Sequence, residues 1–437
     1  MELYGWGRYP RVEAEVLEPL NADSLHALLS VKRPKPAFIS RGAGKSYGDS
    51  ALADRVLSSR FLDSFIALEE DNRRVRCGAG VALAEILKVS VPRGWFLPVL
   101  PGTKFVTVGG AIAADVHGKN HHRDGSFCDH VQELSLVLAS GEVLVCNRQH
   151  NSEVFHATCG GMGLTGVILD ATLDFKKVSS VLVNRRSLPA RNLEHCMELI
   201  EQNNASTYSV AWLDCLSGGS SLGRSILHLG EHAVDGKLIV KSRRGPSVPF
   251  STPGFLLNKF TMSVFNSALY NLRKKGEKIS STNYDAYFFP LDNIGNWNRL
   301  YGAKGFLQYQ FVLPGESALQ GMRKIVQRVS AAGKGSFLAV LKKFGAANSN
   351  LLSFPMAGYT LTLDFKREEQ IFPLLDELDA LVINHGGRHY LAKDARLSEA
   401  VFKAGYPNWE KFLALKKLLD PTGVFASHQS NRIGLTG

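Results

Sequence analysis

Roughly the first 175 residues consist of short apolar stretches separated by glycine-rich turns. The stretches AFISRGAG, RRVRCGAG, VTVGGAIAA and ELSLVLASGEVLVC predict strands, and the last predicts a hairpin that turns at Ser140 and Gly141. Two other stretches, NADSLHALLS and ALAEILKVSV, place apolar residues at helical spacing, and Asn21 or Asp23 is suited to cap the first helix. This part of the chain therefore predicts small sheets with interspersed helices.

The remainder of the chain mixes longer helical and strand patterns. SLPARNLEHCMELIEQ and SALQGMRKIVQRVSAAG predict helices, and NWEKFLALKKLLD predicts a helix that ends before Pro421. An irregular, strongly basic segment occupies residues 236–282. The order of elements predicts an α+β, two-domain fold, because the regular β-α-β alternation of a doubly wound sheet is missing.

The stretch GGMGLTG has the spacing G-x-G-x-x-G at Gly161, Gly163 and Gly166. In a dinucleotide-binding Rossmann fold a strand precedes this motif and a helix follows it, because the pyrophosphate binds at the helix N-terminus. Here NSEVFHATC upstream predicts a helix and VILDATLDFKK downstream predicts a strand. The order is reversed, which excludes a Rossmann fold and leaves the glycines to another role.

The composition is that of an ordinary soluble globular protein, with 437 residues, 45% hydrophobic and 21% charged. No apolar run is long enough to span a bilayer, and the first residues lack the pattern of a secretory signal. The six cysteines, which form no C-x-x-C pair, are Cys77, Cys128, Cys146, Cys159, Cys196 and Cys215. They predict buried, reduced thiols, as expected in the cytosol.

The net charge of +11 is concentrated in one segment. Nine basic residues and one acidic residue, Glu277, contribute +8 of this charge; the basic residues are Lys237, Lys241, Arg243, Arg244, Lys259, Arg273, Lys274, Lys275 and Lys278. Such a patch predicts an anionic partner, which is phosphate, a membrane surface or nucleic acid.

Within that segment, PGFLLNKFTMSVFNSALYNLRKKGEK interleaves basic residues with the apolar residues Leu256, Leu257, Phe260, Val264, Phe265, Leu269 and Leu272. One interpretation is a core-packed helix with a solvated basic end. The other is a surface helix whose apolar residues enter a membrane interface while its cations meet anionic headgroups. No recognised nucleic-acid motif accompanies the charge, so we expect no nucleic-acid partner.

Candidate chemistry begins at residues 40–50, SRGAGKSYGDS, where Gly44-Lys45-Ser46 is similar to the end of a P-loop. A P-loop needs a further glycine five positions before Gly44, and Ile39 stands there, which excludes it. The stretch is then either a plain turn or a loop whose backbone N–H groups wrap a diphosphate.

A second candidate is PGTKFVTVGGAIAADVHGKNHH, residues 101–122. From Val108 to Ala114 most side chains are small, so a flat aromatic group could lie directly against the backbone. His117, His121 and His122 follow. A zinc site is disfavoured because the H-E-x-x-H glutamate is missing; a surface cluster, or a histidine beside a redox group, remains.

Together, RGAGKSYGD, PGTKFVTVGGAIAADVHGKNHH, VFHATCGGMGLTGVI, FLQYQFVLP, YLAKDAR and DPTGVFAS resemble the FAD-dependent vanillyl-alcohol oxidase superfamily. More narrowly, they resemble the decaprenylphosphoryl-β-D-ribose 2-oxidase family over nearly the whole chain. The resemblance implies a two-domain FAD-binding fold with an antiparallel-sheet substrate domain. It divides the chain into an FAD-binding domain at 1–178, a substrate domain at 179–387 and a return to the FAD-binding domain at 388–437.

The resemblance implies that FAD is bound without a covalent bond, since Lys45 stands in the loop where some relatives have a linking histidine. It implies these cofactor contacts: Arg41, Gly42, Ala43, Gly44, Lys45, Ser46, Tyr47, Gly48, Pro101, Gly102, Thr103, Val106, Gly109, Gly110, Ala113, His117, Gly118, Asn120, Gly160, Gly161, Gly163, Gly166, Val167 and Lys393. His117 and Lys393 are the implied catalytic residues, and no metal is expected.

The implied substrate contacts are Phe288, Gln308, Gln310, Lys342, Thr360 and Thr362. Gln308 and Gln310 share one face of a strand, which without the resemblance could equally be an exposed face. The chain departs from mycobacterial members, which have asparagine and cysteine where it has Thr360 and Thr362, and a tyrosine where it has Phe288. We expect the same reaction with a shifted substrate preference.

The implied activity is oxidation of the 2-hydroxyl of a polyprenyl-phosphoryl ribose to a ketone, the first half of an epimerisation to arabinose. A short-chain dehydrogenase would complete the epimerisation, and the enzyme would lie in the cytoplasm at the inner face of the membrane. Two alternatives are an oxidase of soluble sugars, sugar lactones or alditols, and a binding protein without catalysis on the same scaffold.

Overall fold

The structure, a computed structural model, describes residues 1–30, 37–239, 245–252, 258–336 and 338–436. Lys241, Arg243, Arg244, Leu256 and Leu257 of the basic segment lie outside the described residues.

The strands are β1 Glu2–Tyr4, β2 Arg11–Glu13, β3 Glu15–Leu17, β4 Ile39–Arg41, β5 Arg55–Ser58, β6 Phe65–Glu69, β7 Arg74–Gly78, β8 Trp95–Phe96, β9 Val131–Val137, β10 Val143–Asn147, β11 Val167–Asp174, β12 Lys176–Lys177, β13 Leu182–Ala190, β14 Tyr208–Leu213, β15 Ser225–His232, β16 Lys278–Asn283, β17 Phe306–Pro314, β18 Ala339–Phe344, β19 Gly358–Lys366 and β20 Arg388–His389.

The α-helices are α1 Ala22–Leu29, α2 Leu83–Ser90, α3 Val108–Ala113, α4 His121–Asp124, α5 Ser152–Thr158, α6 Leu193–Gln202, α7 Lys259–Asn271, α8 Tyr284–Phe288, α9 Gly315–Ala332, α10 Ile371–Asn384, α11 Glu399–Gly405, α12 Trp409–Leu419 and α13 His428–Arg432. Short 3₁₀ turns occupy Val91–Arg93, Phe127–His130, Gly219–Ser221, Trp297–Tyr301 and Leu391–Lys393.

The N-terminal part contains two main sheets. A parallel sheet has the order β3-β5-β4, and an antiparallel sheet has the order β10-β9-β11-β7-β6. The predicted hairpin is β9 and β10, with Gly141 in the turn at φ 91°. The helix before the GGMGLTG stretch and the strand after it are α5 and β11, as the sequence predicts.

The middle of the chain forms an eight-stranded antiparallel sheet with the order β16-β13-β15-β14-β18-β19-β17-β20. Side chains alternate across a strand, so each face takes every second residue. One face contributes Tyr309, Phe311 and Leu361 to a core shared with α6, α9 and α10. The opposite face carries Gln308, Gln310 and the other polar residues of the site. The α+β fold with an antiparallel-sheet domain is confirmed.

The last fifty residues return to the N-terminal part. Phe425 forms a parallel bridge with Phe38, and the two rings meet edge to face at 5.5 Å. Phe412 and Tyr406 share a core cluster with Ile39. The exact domain limits at 178 and 387 remain predictions.

Two local predictions are wrong. VTVGGAIAA, predicted as a strand, forms helix α3, because the Thr107 side chain accepts the N–H of Gly110 and caps a helix start. SLPA, predicted as the start of a helix, ends strand β13, and helix α6 begins only after its cap, Asn192. The six cysteines are buried and free, as predicted.

Candidate active site

A cavity of about 790 Å³ lies between the polar face of the eight-stranded sheet and the N-terminal part. One side of its lining is formed by the glycine-rich loop at residues 42–48 (the glycine loop), helix α3 and the segment around His117. Strands β13, β14, β15, β17, β18 and β19 contribute to the other side, and Lys393 comes from the 3₁₀ turn after β20. The cavity therefore collects residues from all three sections of the chain.

The glycine loop approaches its neighbours too closely for larger side chains. A Cβ at Gly42 would collide with Oγ1 of Thr107, and Gly44 has φ 61°, a left-handed conformation that favours glycine. The loop is fixed beside β17, because Tyr47 N–H donates to Ala392 O at 3.0 Å and the Tyr47 ring packs on Phe306. The result is a cavity wall made largely of backbone.

His117 is held by a chain of hydrogen bonds from β17 and β19. The Thr360 hydroxyl donates to Phe311 O at 2.8 Å and must therefore accept from Gln310 Nε2, 3.2 Å away. The same amide nitrogen lies 3.0 Å from Nε2 of His117. An amide nitrogen can only donate, so Nε2 of His117 accepts and its proton resides on Nδ1.

Burial keeps His117 uncharged. Its ring lies against Phe344, at 4.8 Å between centroids, and against Phe354 and Tyr390. Loss of hydration lowers the pKa of His117 well below its usual value, and the nearby charges of Lys342 and Lys393 lower it further. The residue is a neutral hydrogen-bonding group at physiological pH.

Three partly buried lysines in the cavity have unusually low pKa values. Burial lowers the pKa of Lys342 to about 8 and is the largest cause that lowers the pKa values of Lys119 and Lys393 to about 7. Asp364 partly offsets this effect at Lys393, whose Nζ lies 3.8 Å from the centre of the Tyr47 ring. These lysines can gain or lose a proton near neutral pH.

Positive charge dominates the cavity lining. Its cations are Lys45, Lys119, Arg185, Arg273, Lys342 and Lys393, and its one lining carboxylate among the described residues is Asp292. Within the described ranges, none of the six cations forms an ion pair with a carboxylate. The cavity is therefore suited to anionic ligands.

Most of the predicted site residues line this cavity. They are Gly42, Ala43, Gly44, Lys45, Ser46, Tyr47, Pro101, Gly102, Thr103, Val106, Gly109, Gly110, Ala113, His117, Gly118, Gly163, Gly166, Val167, Phe288, Gln308, Gln310, Lys342, Thr362 and Lys393. Gln308 also donates to Asp364 at 2.6 Å, and Asp364 accepts from Tyr301 at 3.0 Å.

The remaining predicted residues, Arg41, Gly48, Asn120, Gly160, Gly161 and Thr360, do not line the cavity. The Arg41 guanidinium donates to the carbonyl oxygens of Tyr4 and Ala51. Asn120 donates to Pro98 O and the Asp124 carboxylate.

The glycines among these residues have packing roles. A Cβ at Gly48 would collide with Asp394 O, and one at Gly161 with Ala157 O, while Gly160 N–H donates to Ile112 O. Thr360 lies behind Gln310, whose amide it orients. These residues do not reach the cavity themselves, and they support neighbouring segments through packing and hydrogen bonds.

Five charged or histidine residues of the cavity lining were not predicted from the sequence as site residues: Lys119, Arg185, His228, Arg273 and Asp292. Lys119 is part of the stretch HGKNHH that begins with His117, and this position in the sequence could have indicated that it belongs to the site. Arg185 and His228 belong to strands with polar residues on both faces, so the pattern does not tell which face meets the cavity. Arg273 was assigned to the basic surface.

The histidines near the cavity do not form a metal centre. Nδ1 of His121 accepts the N–H of Gly345 at 3.1 Å, and Nε2 of His122 lies 2.9 Å from Ser206 O. Over the described ranges, no group of three or more His, Cys, Asp or Glu side chains is arranged to hold a metal ion.

The cavity fits a flavin dinucleotide. Four buried polar atoms of lining residues have no hydrogen-bond partner among the described residues: Oγ of Ser40, Oγ of Ser46, Nδ1 of His117 and the hydroxyl oxygen of Tyr287. The backbone wall suits a flat ring system, and the surrounding cations suit a pyrophosphate.

In agreement, residues 14–147 match the FAD binding domain family and residues 360–433 match the D-arabinono-1,4-lactone oxidase family. The protein is an FAD-dependent oxidoreductase that acts on CH–OH groups, which excludes a binding protein without catalysis.

Similarity to known proteins shows which family of FAD-dependent oxidoreductases the chain belongs to. The chain is 36% identical to the decaprenylphosphoryl-β-D-ribose oxidase of Mycolicibacterium smegmatis, over 99% of this chain and 97% of that protein. It is 34% identical to an uncharacterized protein of Streptomyces coelicolor, over 81% of this chain and 100% of that protein. It is 22% identical to the L-gulonolactone oxidase of Bos taurus, over 97% and 96% of the two chains. The chain belongs to the decaprenylphosphoryl-β-D-ribose oxidase family.

Proposed function

We propose that this enzyme oxidises the 2-hydroxyl of a polyprenyl-phosphoryl ribose to a ketone, as the first half of an epimerisation to arabinose. The observation that carries this proposal is the polar constellation of Gln310, His117, Lys342 and Lys393 in a cavity dominated by cations. It offers hydrogen bonds for a sugar and positive charge for a phosphate. The name of the mycobacterial relative points to the same class of substrate.

FAD, when bound, supplies the acceptor for the hydride that leaves the sugar carbon. The glycine loop and helix α3 would hold it, with Lys393 as a nearby cation that favours negative charge on the reduced cofactor. His117 is protonated at Nδ1 and so acts as a hydrogen-bond donor that orients polar groups. Lys342 and Lys393, with pKa values of about 8 and about 7, are partly neutral near pH 7 and can accept the proton of the hydroxyl.

Substrate preference is proposed to differ from that of mycobacterial members. Thr362 lies opposite Gln310 in the sheet register and offers a hydroxyl where those members have a thiol. Phe288 packs against Phe96 and Tyr208 and has no hydroxyl to offer a ligand. These changes support the same reaction with altered hydrogen bonds to the sugar, and no trapping of thiol-directed inhibitors at Thr362.

The proposal is tested by anaerobic reduction of the purified flavoprotein. Farnesyl-phosphoryl ribose should bleach the flavin absorbance, whereas free ribose, alditols and sugar lactones should react far more slowly. Equal or faster reduction by the soluble sugars or lactones would overturn the proposal in favour of a soluble-sugar oxidase.

We further propose that the enzyme works in the cytoplasm against the inner face of the membrane, with a short-chain dehydrogenase that reduces the keto sugar. The support is helix α7, on which Phe260, Val264 and Phe265 are exposed although apolar. Lys274 and Lys275 follow it in exposed positions. Among the described residues, no helix is long and apolar enough to cross a membrane.

A further inference from the structure

A group of basic side chains lines the cavity on the β13 side of the sheet. Arg185 on β13, His228 on β15 and Arg273 after α7 share the cavity with Gln310 on β17. Five strand spacings separate β13 from β17 in the sheet order, which at about 4.8 Å each is about 24 Å between the two backbones. The glycine loop lies on the β17 side, so this group is apart from the loop proposed to hold the FAD pyrophosphate.

Within the described ranges, Arg185 and His228 have uncharged hydrogen-bond partners, and Arg273 forms no ion pair. Nε of Arg185 donates to Oγ of Ser280 at 3.3 Å, and Oγ of Ser187 lies 2.9 Å from Nδ1 of His228. Burial lowers the pKa of His228 to about 3, and the charges of Arg185, Arg273 and Lys119 contribute. Burial also lowers the pKa of Arg273, with Arg185 as a further cause. The fold thus holds the cations Arg185 and Arg273 near each other beside a neutral His228, and an anion between the two arginines would remove their repulsion.

Lys119 connects this group to the catalytic region. It stands two residues after His117, its Nζ donates to Tyr287 O, and the Nζ lies 5.4 Å from the centre of the Phe288 ring. Besides burial, its pKa is lowered by both Lys342 and Arg185, so it is near both. Lys342, Lys119 and Arg185 therefore line the same cavity, with Lys119 influenced by both of the others.

We propose that Arg185, Arg273 and Lys119 form a phosphate-binding subsite that holds the phosphate ester of the sugar substrate. The planar guanidinium of Arg185 can donate two parallel hydrogen bonds to phosphate oxygens, and the ammonium of Lys119 adds charge on the catalytic side. The identity of the sugar rests on the proposed function. The subsite itself rests on the arrangement of the cations.

Adjacent arginines on β13 supply a matched test. Arg185 lines the cavity, whereas Arg186 points to the opposite face, is exposed and pairs with Glu277 at 2.7 Å. Arg185→Gln, Arg273→Gln and the control Arg186→Gln are prepared as FAD-loaded enzymes with confirmed flavin content. Binding of inorganic phosphate is measured by calorimetry, and KM is measured with β-D-ribose 1-phosphate and with farnesyl-phosphoryl-β-D-ribose, which share one anomeric configuration. Arg185→Lys, which keeps the charge, serves where Arg185→Gln fails to fold.

We expect Arg185→Gln and Arg273→Gln to raise the Kd of phosphate and the KM of both esters about tenfold, with kcat nearly unchanged, since the lost contact is remote from the reacting carbon. Arg185→Lys should show a smaller rise, and Arg186→Gln none. Identical constants for Arg185→Gln and Arg186→Gln would overturn the subsite.

Further outcomes separate the subsite from the proposed function. If neither ester reduces the flavin but phosphate binding still depends on Arg185, the subsite stands and the proposed substrate fails. A lower KM for the farnesyl ester than for ribose 1-phosphate identifies a lipid phosphate as the source, and equal KM values identify a free sugar phosphate; either result with Arg185 dependence supports the subsite.

Discussion

Nε2 of Gln310 lies 3.0 Å from Nε2 of His117 and joins the eight-stranded sheet to the segment that follows helix α3. The contact fixes the tautomer of His117, because the amide nitrogen can only donate. It also links two parts of the chain that are 193 positions apart in sequence. The orientation of the histidine therefore depends on correct docking of the sheet against the N-terminal part.

Gln310→Leu should separate this orientation from cofactor binding. The change leaves Nε2 of His117 and the Thr360 hydroxyl without their donor, so the ring can adopt the other tautomer. We expect FAD content to be kept and kcat/KM to fall by roughly 10- to 100-fold, the cost of one lost hydrogen bond to a catalytic group. Stopped-flow reduction measures the rate, and ¹⁵N NMR of the imidazole measures the tautomer.

The control is Gln327→Leu on the exposed face of helix α9, where the same change meets only solvent. A Gln310→Leu enzyme with the wild-type tautomer and rate would show that the amide does not orient His117.

Lys393→Ala should keep the fold but weaken flavin reduction by at least about tenfold, because a partly buried cation beside the proposed cofactor position is lost. Lys417→Ala, an exposed lysine on α12, is the matched control. Flavin content after gel filtration and the rate of anaerobic reduction are measured together. Wild-type values for both would remove Lys393 from the catalytic set.

The low pKa values of Lys119, Lys342 and Lys393 predict how substrate binding changes with pH. Each lysine is charged below its pKa, so it attracts an anionic substrate at low pH and loses that attraction as pH rises through about 7 to about 8. The KM of a phosphorylated sugar should therefore rise above pH 8, and binding should take up protons. The KM of an uncharged sugar should change less over the same range. If KM changed with pH in the same way for both sugars, the lysines would not be the groups that attract the anionic substrate.

Asp115 predicts a stability effect close to the site. Its buried carboxylate accepts from Asn348, Asn350 and Ser353 at 2.7 to 2.9 Å and from Cys128 N–H at 3.0 Å. Asp115→Asn puts an amide nitrogen among these donors and should lower the free energy of unfolding by about 2 kcal/mol, with some loss of FAD. Urea denaturation measures this, and Asp71→Asn at an exposed turn is the control. Equal stability of the two variants would mean that the network tolerates the amide.

The tight turns at Gly44 and Gly163 were predictable because their cause is local in sequence: a backbone path with positive φ favours glycine wherever it occurs. The sequence could not show that Arg185 faces the cavity, because Arg185 and Arg186 are adjacent and chemically identical. The pairing of β13 with β15 and β16 determines that Arg185 faces the cavity and Arg186 faces solvent. Helix α3 was missed for a related reason. Its glycines favour no regular structure, and the Thr107 cap and packing decide the outcome.

Attachment of the cofactor is open to a simple test. Lys45 stands in the loop where some relatives carry a linking histidine, and its Nζ lies 4.0 Å from the centre of the Trp6 ring. We expect acid precipitation to release all yellow colour into the supernatant, since no histidine occurs in the loop to form a bond with FAD. Colour that stays with the protein pellet would disprove non-covalent binding.

Membrane association is predicted to depend on the residues that follow helix α7. Asn266 anchors the helix by donating to Asp214 at 3.0 Å, while Phe260 on the helix and Leu272 just after it are 74% and 79% exposed. This exposure argues against the alternative of a core-packed helix. Apolar side chains beside lysines are suited to an interface with anionic headgroups, where each lysine contributes about 1 kcal/mol.

Arg273 lines the cavity, so a test of membrane binding must leave it intact. Lys274→Glu with Lys275→Glu should weaken binding to phosphatidylglycerol vesicles at low salt by roughly 30-fold or more, the effect of about 2 kcal/mol lost from two lysines. Activity on a short soluble substrate should be kept.

The control, Lys411→Glu with Lys417→Glu on α12, changes net charge equally at exposed positions away from α7. Cosedimentation measures binding. If both double variants lose binding equally, the overall charge of the protein, and not the surface at α7, causes membrane binding. If the wild-type enzyme does not bind the vesicles, α7 has a structural role and the alternative of a soluble substrate is supported.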